Sequence, residues 1–399
     1  MFRRVYLDNS ATTPVAPEVV EAMMPFLTEK FGNASSIHYF GQEARAAVDK
    51  ARHQVADLIN ASPNEIVFTS GGTEANNLAI RGLLEANPKL GRHIITSSIE
   101  HPGVRNVCED LESQRYSVTY LPVYSNGIVR MEDIEAAVTD ETVLISIMTA
   151  NNEIGTLQPV REIGSFVRSL RETGKKIWFH TDAVQAAGKV KIDVKELGCD
   201  LLTLSAHKMY APKGVGALYV KRGVRLHPQN IGGHQERERR GGTESVPHIA
   251  AFGKACDIAR FENETVQERV RRLRDRLEAE VLALIPGVVI NGDRQSRLAN
   301  ISNISFGSIE GEGLLINLDL QGVAVSTGSA CSSGSLEPSP IIKALGLNDQ
   351  MARGAIRFSF GRFNSEEDVA RVMEVLPQAV ETLRRLLDRH DNKGKAAPR

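Results

Sequence analysis

A lysine at the end of an apolar run is the residue best placed for covalent chemistry. Ser205-Ala206-His207-Lys208 follows directly on Leu201–Leu204. An amine just past a buried strand end, among small and polar residues, is partly desolvated. That lowers its pKa and makes it a nucleophile toward an aldehyde. Phe179-His180-Thr181-Asp182 closes another apolar run, with Gln185 three residues on. Asp182 there serves either as a cap for the next helix or as the partner of a protonated ring nitrogen, with Gln185 donating to an oxygen on the same ring. Ser70-Gly71-Gly72-Thr73-Glu74 reads as strand, glycine turn and helix start. Free N–H groups and the helix dipole at such a junction favour phosphate, although the spacing is not that of a P-loop. Ser205 and His207 can add side-chain donors to that phosphate. His101 and Asn152 also follow apolar runs. The imidazole suits stacking on a ring and proton transfer near neutrality. Asn152 is either a turn residue or a donor to cofactor or substrate carboxylate.

Taken together these needs describe pyridoxal 5′-phosphate (PLP), an aldehyde on a phosphorylated, protonatable pyridine. A further residue narrows the reaction. Cys331 lies in Ser326-Thr327-Gly328-Ser329-Ala330-Cys331-Ser332-Ser333-Gly334-Ser335, with no large apolar neighbour before Leu336. Such a stretch cannot bury a core, so it is expected to move, and its thiol is expected to react. A nearby Arg357 or His101 would favour its thiolate. Cys199 and Cys256 have the apolar surroundings of buried cysteines and Cys108 lies in the helix-length segment Pro102–Arg115, so all three are expected to be inert.

Strand ends converge on one edge of a parallel sheet, so the elements must supply one. Candidate strands are Ile66–Thr69, His93–Ser97, Val118–Val123, Val143–Met148, Ile177–His180, Leu201–Leu204 and Val215–Val220. Most are continuously apolar, as expected of strands buried on both faces. Helix-length segments such as Glu74–Glu85, Pro102–Arg115 and Val160–Thr173 separate them, which predicts an α/β fold with a mostly parallel seven-stranded sheet covered by helices. From about residue 249 a long amphipathic helix runs to Pro286-Gly287. Short strands near 288–290, 300–306, 323–326 and 355–360 then predict a smaller α+β domain. The expected division is a large domain over 15–258, a small domain from 1–14 and 259–390, and an unstructured tail over 391–399. Pro377 is expected to interrupt the last helix.

The 399 residues suit two domains folded together. A formal net charge of −1 offers no overall field for nucleic acid or an anionic membrane. No apolar run reaches the ~20 residues that span a bilayer, and the first eight residues lack a signal-peptide stretch. Four well-separated cysteines show no zinc spacing and fit a reducing compartment, so a cytoplasmic protein without metal is expected.

The set Ser70–Glu74, Glu100-His101, Asn152–Gly155, His180–Gln185 and Ser205–Lys208 resembles the cysteine desulfurases, in the class V aminotransferase branch of the fold-type I PLP enzymes. The resemblance runs from Tyr6 to Gly361 and is nearest to the nitrogen-fixation and iron–sulfur-assembly types. It implies removal of sulfur from L-cysteine, giving alanine and a persulfide on Cys331 that passes to an acceptor such as an iron–sulfur scaffold or a tRNA-thiolation carrier. It implies that Lys208 holds PLP covalently, Asp182 pairs with the pyridine nitrogen and Gln185 with the phenolic oxygen. His101 would stack and move protons. Gly72, Thr73, Ser205 and His207 would hold the phosphate, and Thr243 would reach the phosphate of the partner subunit in a homodimer. Asn152 and Arg357 would bind the substrate carboxylate, for which the forked guanidinium is suited. A selenocysteine lyase or another class V transaminase is the nearest alternative. A non-catalytic assembly scaffold would have no need of Lys208.

Overall fold

The computed structural model describes residues 3–327 and 338–395. Its twelve described strands are β1 (Val5–Tyr6), β2 (Ile66–Thr69), β3 (His93–Ser97), β4 (Ser117–Leu121), β5 (Thr142–Ser146), β6 (Trp178–Asp182), β7 (Leu201–Ser205), β8 (Gly216–Val220), β9 (Val288–Asn291), β10 (Ile301–Phe306), β11 (Val323–Ala324) and β12 (Ala355–Ser359). Seven form one sheet in the order β2-β8-β7-β6-β5-β3-β4. Only β8 runs against its neighbours, so β2 is again parallel to β7. The continuous apolar character of β2, β3, β5, β7 and β8 is explained by burial at every position. Helices Gly72–Ala86, Pro102–Ser113 and Val160–Glu172 cover the sheet where the sequence predicts them. The sequence reading passed over the earlier helices, including Tyr39–Leu58, whose apolar face packs on the same core.

A three-stranded antiparallel sheet, β12-β10-β9, forms a second layer. Its packing cluster joins Val5 and Leu7 to Val270, Leu273, Leu277 and Val281, and to residues of β10, β12 and the last helix. One helix, Val246–Leu284, is 39 residues long and contributes Phe252 and Ala255 to the first core and Leu273 and Leu277 to the second. The chain start crosses to this layer: β1 pairs with β11 and Asp8 bridges to Ser359.

Two expectations need correction. Pro377 does not end the last helix, which runs Glu366–Lys395. Val369, Val372 and Val375 before the proline and Ala379 and Val380 after it are all buried in one cluster, and that shared face holds the helix through the lost hydrogen bond. The helix also carries 391–395, which composition alone assigned to a tail. Among the described residues no helix is long and apolar enough to cross a membrane.

Candidate active site

The C-terminal ends of β2, β3, β5, β6 and β7 lie on one edge of the large sheet, and their following residues meet there. A cavity of about 270 Å³ is lined by Gly72, Thr73, Asn76, His101, Met148, Ala150, Asn152, Asp182, Val184, Gln185, Ser205, His207, Lys208 and Arg357. Ser10 and Ala11 complete the lining. Ligands bind outside strand C-termini in sheets of this kind, because the convergent loops leave a crevice there. Ten of the expected site positions are thus brought together, 72, 73, 101, 152, 182, 185, 205, 207, 208 and 357, while 243 and 331 are not among the lining residues.

Lys208 Nζ donates to the carbonyls of Ser10 (2.5 Å) and Ala11 (2.6 Å). The chain start is laid along the lysine turn by Thr13, whose N–H and hydroxyl both donate to the His207 carbonyl. Asp182 is buried; its Oδ2 accepts from Asn76 Nδ2 (2.8 Å) and its Oδ1 from the Val184 N–H (2.9 Å). The aspartate therefore organises a turn, not a helix cap, and is itself oriented by Asn76. Gln185 Nε2 donates to the Ser10 carbonyl (3.0 Å).

His101 has both a structural and a site role. It caps helix Pro102–Ser113, its Nδ1 accepting the Gly103 N–H at 2.9 Å. That bond assigns the proton of the neutral ring to Nε2. Burial holds its pKa below the usual histidine range, opposed by Asp182 and aided by Lys208. His207 is pushed down to about 4 by burial and by Lys208, Lys213 and Lys189, so it stays neutral beside Thr12. Glu100, next to His101, is pushed up to about 8 by burial, although Met148 N–H and Ser97 Oγ donate to it.

The phosphate-type turn has the necessary shape. Gly71 has φ of 157°, open only to glycine, and a side-chain carbon on Gly216 of β8 would come within 2.8 Å of the Gly71 backbone. A carbon on Gly72 would fall 3.0 Å from Val184 and 3.6 Å from Ser205, the residues facing it across the cradle.

Arg357 reaches the cavity from β12. Its Nη1 donates to the Asn152 carbonyl (2.9 Å) and its Nη2 pairs with Asp8 (2.7 Å). Thr243 does not line this cavity; it is exposed, three residues past Arg240. Cys331 lies outside the described residues. Cys108, Cys199 and Cys256 are buried, and burial raises each thiol's pKa, that of Cys108 to about 12.

Sequence reasoning missed Asn76, the Ser10 and Ala11 carbonyls and Asp8. Asn76 sits in the helix turn directly after the glycine motif, and Asp8 in the Tyr6–Pro14 stretch, so both were visible as polar residues in otherwise informative segments. Their partners were not, since each is fixed by a contact distant in sequence.

The donor set can be tested for fit to PLP. Among the described residues, Ser10 Oγ, Asn76 Oδ1, Asn152 Oδ1, Gln185 Oε1 and Arg357 Nε are buried without a hydrogen-bond partner. Each such atom costs about 1–3 kcal/mol, so five around one cavity point to a polar ligand. An amine, a carboxylate held in place, a neutral imidazole and a glycine turn with nearby hydroxyls match aldehyde, ring nitrogen, ring face and phosphate in turn.

Comparison with known proteins agrees. Residues 5–372 match the family model described as aminotransferase class-V. A curated protein from Nostoc sp. named cysteine desulfurase is 52% identical over 382 residues, covering 96% of this chain and 94% of the relative. A solved NifS-like protein superposes with a TM-score of 0.89 at 37% identity, covering 96% of this chain and all of that one. A structure titled SspA in complex with cysteine gives 0.79 at 36% identity, over 90% of this chain and 100% of that chain.

Proposed function

On the premise that this chain belongs to the class V aminotransferase family, as one of its PLP-dependent cysteine desulfurases, we propose that Lys208 holds the cofactor and Cys331 receives the sulfur. The observation that carries the assignment of roles is the convergence of Lys208, Asp182 and His101 with the Gly71-Gly72 turn on one sheet edge.

Bound PLP supplies an aldehyde for amine exchange and a ring that takes up electrons from the substrate's Cα–H bond. The protein's residues do the rest. Asn76 and the Val184 N–H fix the Asp182 carboxylate, so that its charge is presented to a ring nitrogen. The turn at 71–73, Ser205 and the neutral His207 hold phosphate. Lys208, which lies beside the substrate amine's site, accepts and returns protons at Nζ, and His101 Nε2 donates one. Arg357 takes the carboxylate of L-cysteine, the amino acid also held by the related SspA. The Cys331 thiolate attacks the substrate sulfur. A new S–S bond forms, the substrate C–S bond breaks, and its electron pair returns to carbon, which takes a proton to become alanine. The persulfide then passes to a sulfur acceptor, with iron–sulfur assembly and tRNA thiolation the candidate destinations.

A homodimer completes the reading. Ile37 is 91% and Ile231 82% exposed, and the rings of Phe31 and Phe40, both exposed, stack 5.7 Å apart. Apolar area of this kind supports an interface, and Thr243 would then reach the partner's phosphate. The grouping of Val5 and Leu7 with Val270 to Val380 in one packing cluster supports a small domain drawn from 1–14 and 259–390, although Leu298, Ile301, Ile341, Ile342 and Leu345 pack on the core of 15–258. A cytoplasmic setting is supported by the sparse cysteines.

Alanine and persulfide are to be measured with L-cysteine as substrate. Wild type is expected to make both, and Cys331→Ala to make neither. Undiminished alanine production by Cys331→Ala would instead favour the lyase reading, and a sulfur-bearing keto acid in place of alanine the transaminase reading. Lys208→Ala is expected to remove the absorbance at about 400–430 nm of lysine-bound PLP.

A further inference from the structure

One carboxylate ties the phosphate turn to a remote loop. Glu74 stands in the first turn of helix Gly72–Ala86. Its Oε2 accepts the Ser70 N–H at 2.7 Å. Its Oε1 accepts from Arg240 Nε at 2.8 Å and Asn230 Nδ2 at 3.2 Å, and Arg240 Nη2 lies 3.3 Å from Oε2. Burial works to raise this carboxyl's pKa, but the bonds from Arg240 and Ser70 outweigh it and hold the group charged.

The same loop is anchored at a second point. Glu236, Arg237 and Glu238 have φ of 48°, 58° and 64°, a run of left-handed backbone that costs about 1–2 kcal/mol per residue. It persists because Glu236 is buried in a two-bond pair with Arg52 (2.6 and 2.7 Å) and accepts the Phe68 N–H of β2 (3.0 Å). Arg52 in turn donates to the Ile66 carbonyl at 2.8 Å. Both anchors therefore join the loop to β2 and to the turn that follows it. Thr243, the next side chain after Arg240, is left exposed, and lines a small cleft with Ser70 and Gly214.

We propose that Glu74 is a positioning residue for two cofactor sites at once: for its own chain's phosphate turn through Ser70, and for the partner's phosphate through Arg240 and the Thr243 it presents. The inference rests on the homodimer reading above. The two sites of a dimer are then linked, since order in one chain's phosphate turn is order in the loop that serves the other.

Hybrid dimers test it. One chain carries Lys208→Ala with Glu74→Ala, and the other is unaltered, so lysine-bound cofactor forms only in the unaltered chain, whose own Glu74 is intact. The control hybrid carries Lys208→Ala alone. Apo-hybrids are titrated with PLP and followed by the absorbance of the lysine-bound cofactor. The proposal expects about tenfold weaker binding than in the control, the loss of one charge-assisted bond. Arg240→Met in place of Glu74→Ala is expected to give the same loss without touching the helix turn. Equal affinity in control and Glu74→Ala hybrids overturns the proposal. So does a loss with Glu74→Ala that Arg240→Met fails to reproduce, because the route through the loop is then absent. A monomer by light scattering fails the homodimer reading itself, and is told apart from either result before any titration.

Discussion

Asp182 carries its charge at a fixed angle because Asn76 and the Val184 N–H each hold one of its oxygens. Replacing Asn76 with alanine removes the side-chain donor and leaves the carboxylate free to turn. PLP binding to the apo-protein, followed by absorbance, is expected to weaken about tenfold, the size of one hydrogen bond to a charged group. Glu100 makes the opposite kind of prediction. Its carboxyl is pushed up from 4.5 to about 8 by burial, so the folded protein binds one more proton than the unfolded chain between those values. Stability from this group is whole below about pH 4.5 and is lost as pH rises through 8. Glu100→Gln, neutral at every pH and of the same shape, is expected to remove that loss. Thermal unfolding at pH 5 and pH 8.5 should show a smaller fall in Tm for the variant than for wild type, and an equal fall would refute the assignment. Lys208, Asp182 and His101 were legible as a group because each follows an apolar run. Asn76, Asp8 and the Ser10 carbonyl were not, because what makes them part of the site is a partner 106, 349 or 198 residues away.

The turn after β2 works because a neighbouring strand lets it come close. Gly216 of β8 has the Gly71 backbone where its side chain would stand. Gly216→Ala is therefore expected to push the turn outward and weaken PLP binding at least about tenfold, with overpacking costing about 1–3 kcal/mol of stability. An unchanged affinity would show that the turn tolerates the shift. The strands of the large sheet were legible to within two residues, since burial on both faces leaves most of them as apolar runs, whereas the two-residue β1 was passed over. Periodicity was less informative where a proline or a basic composition stood in a helix. At Pro377 the local rule called for a stop, and tertiary burial of Val369 through Val380 overrode it.

At the scale of the molecule, the helix Val246–Leu284 is shared by both packing clusters. Leu277 is fully buried where it joins the second. Leu277→Ala is expected to cost about 2–5 kcal/mol in denaturant unfolding, through lost burial and the cavity left behind. Burial also protects three of the thiols. Cys108, Cys199 and Cys256 are sealed in the folded protein with raised pKa values. A thiol reagent at neutral pH is expected to label one cysteine quickly in native protein and four after denaturation, with Cys331→Ala abolishing the quick reaction. Two or more quick thiols would contradict the buried positions of the other three.

Asp8 and Arg357 stand 349 residues apart and meet in one ion pair, beside an amine that rests on the carbonyls of residues 10 and 11. The wall of the pocket closes only once segments 349 residues apart have been brought together, so capture of the coenzyme waits on the folding of both layers.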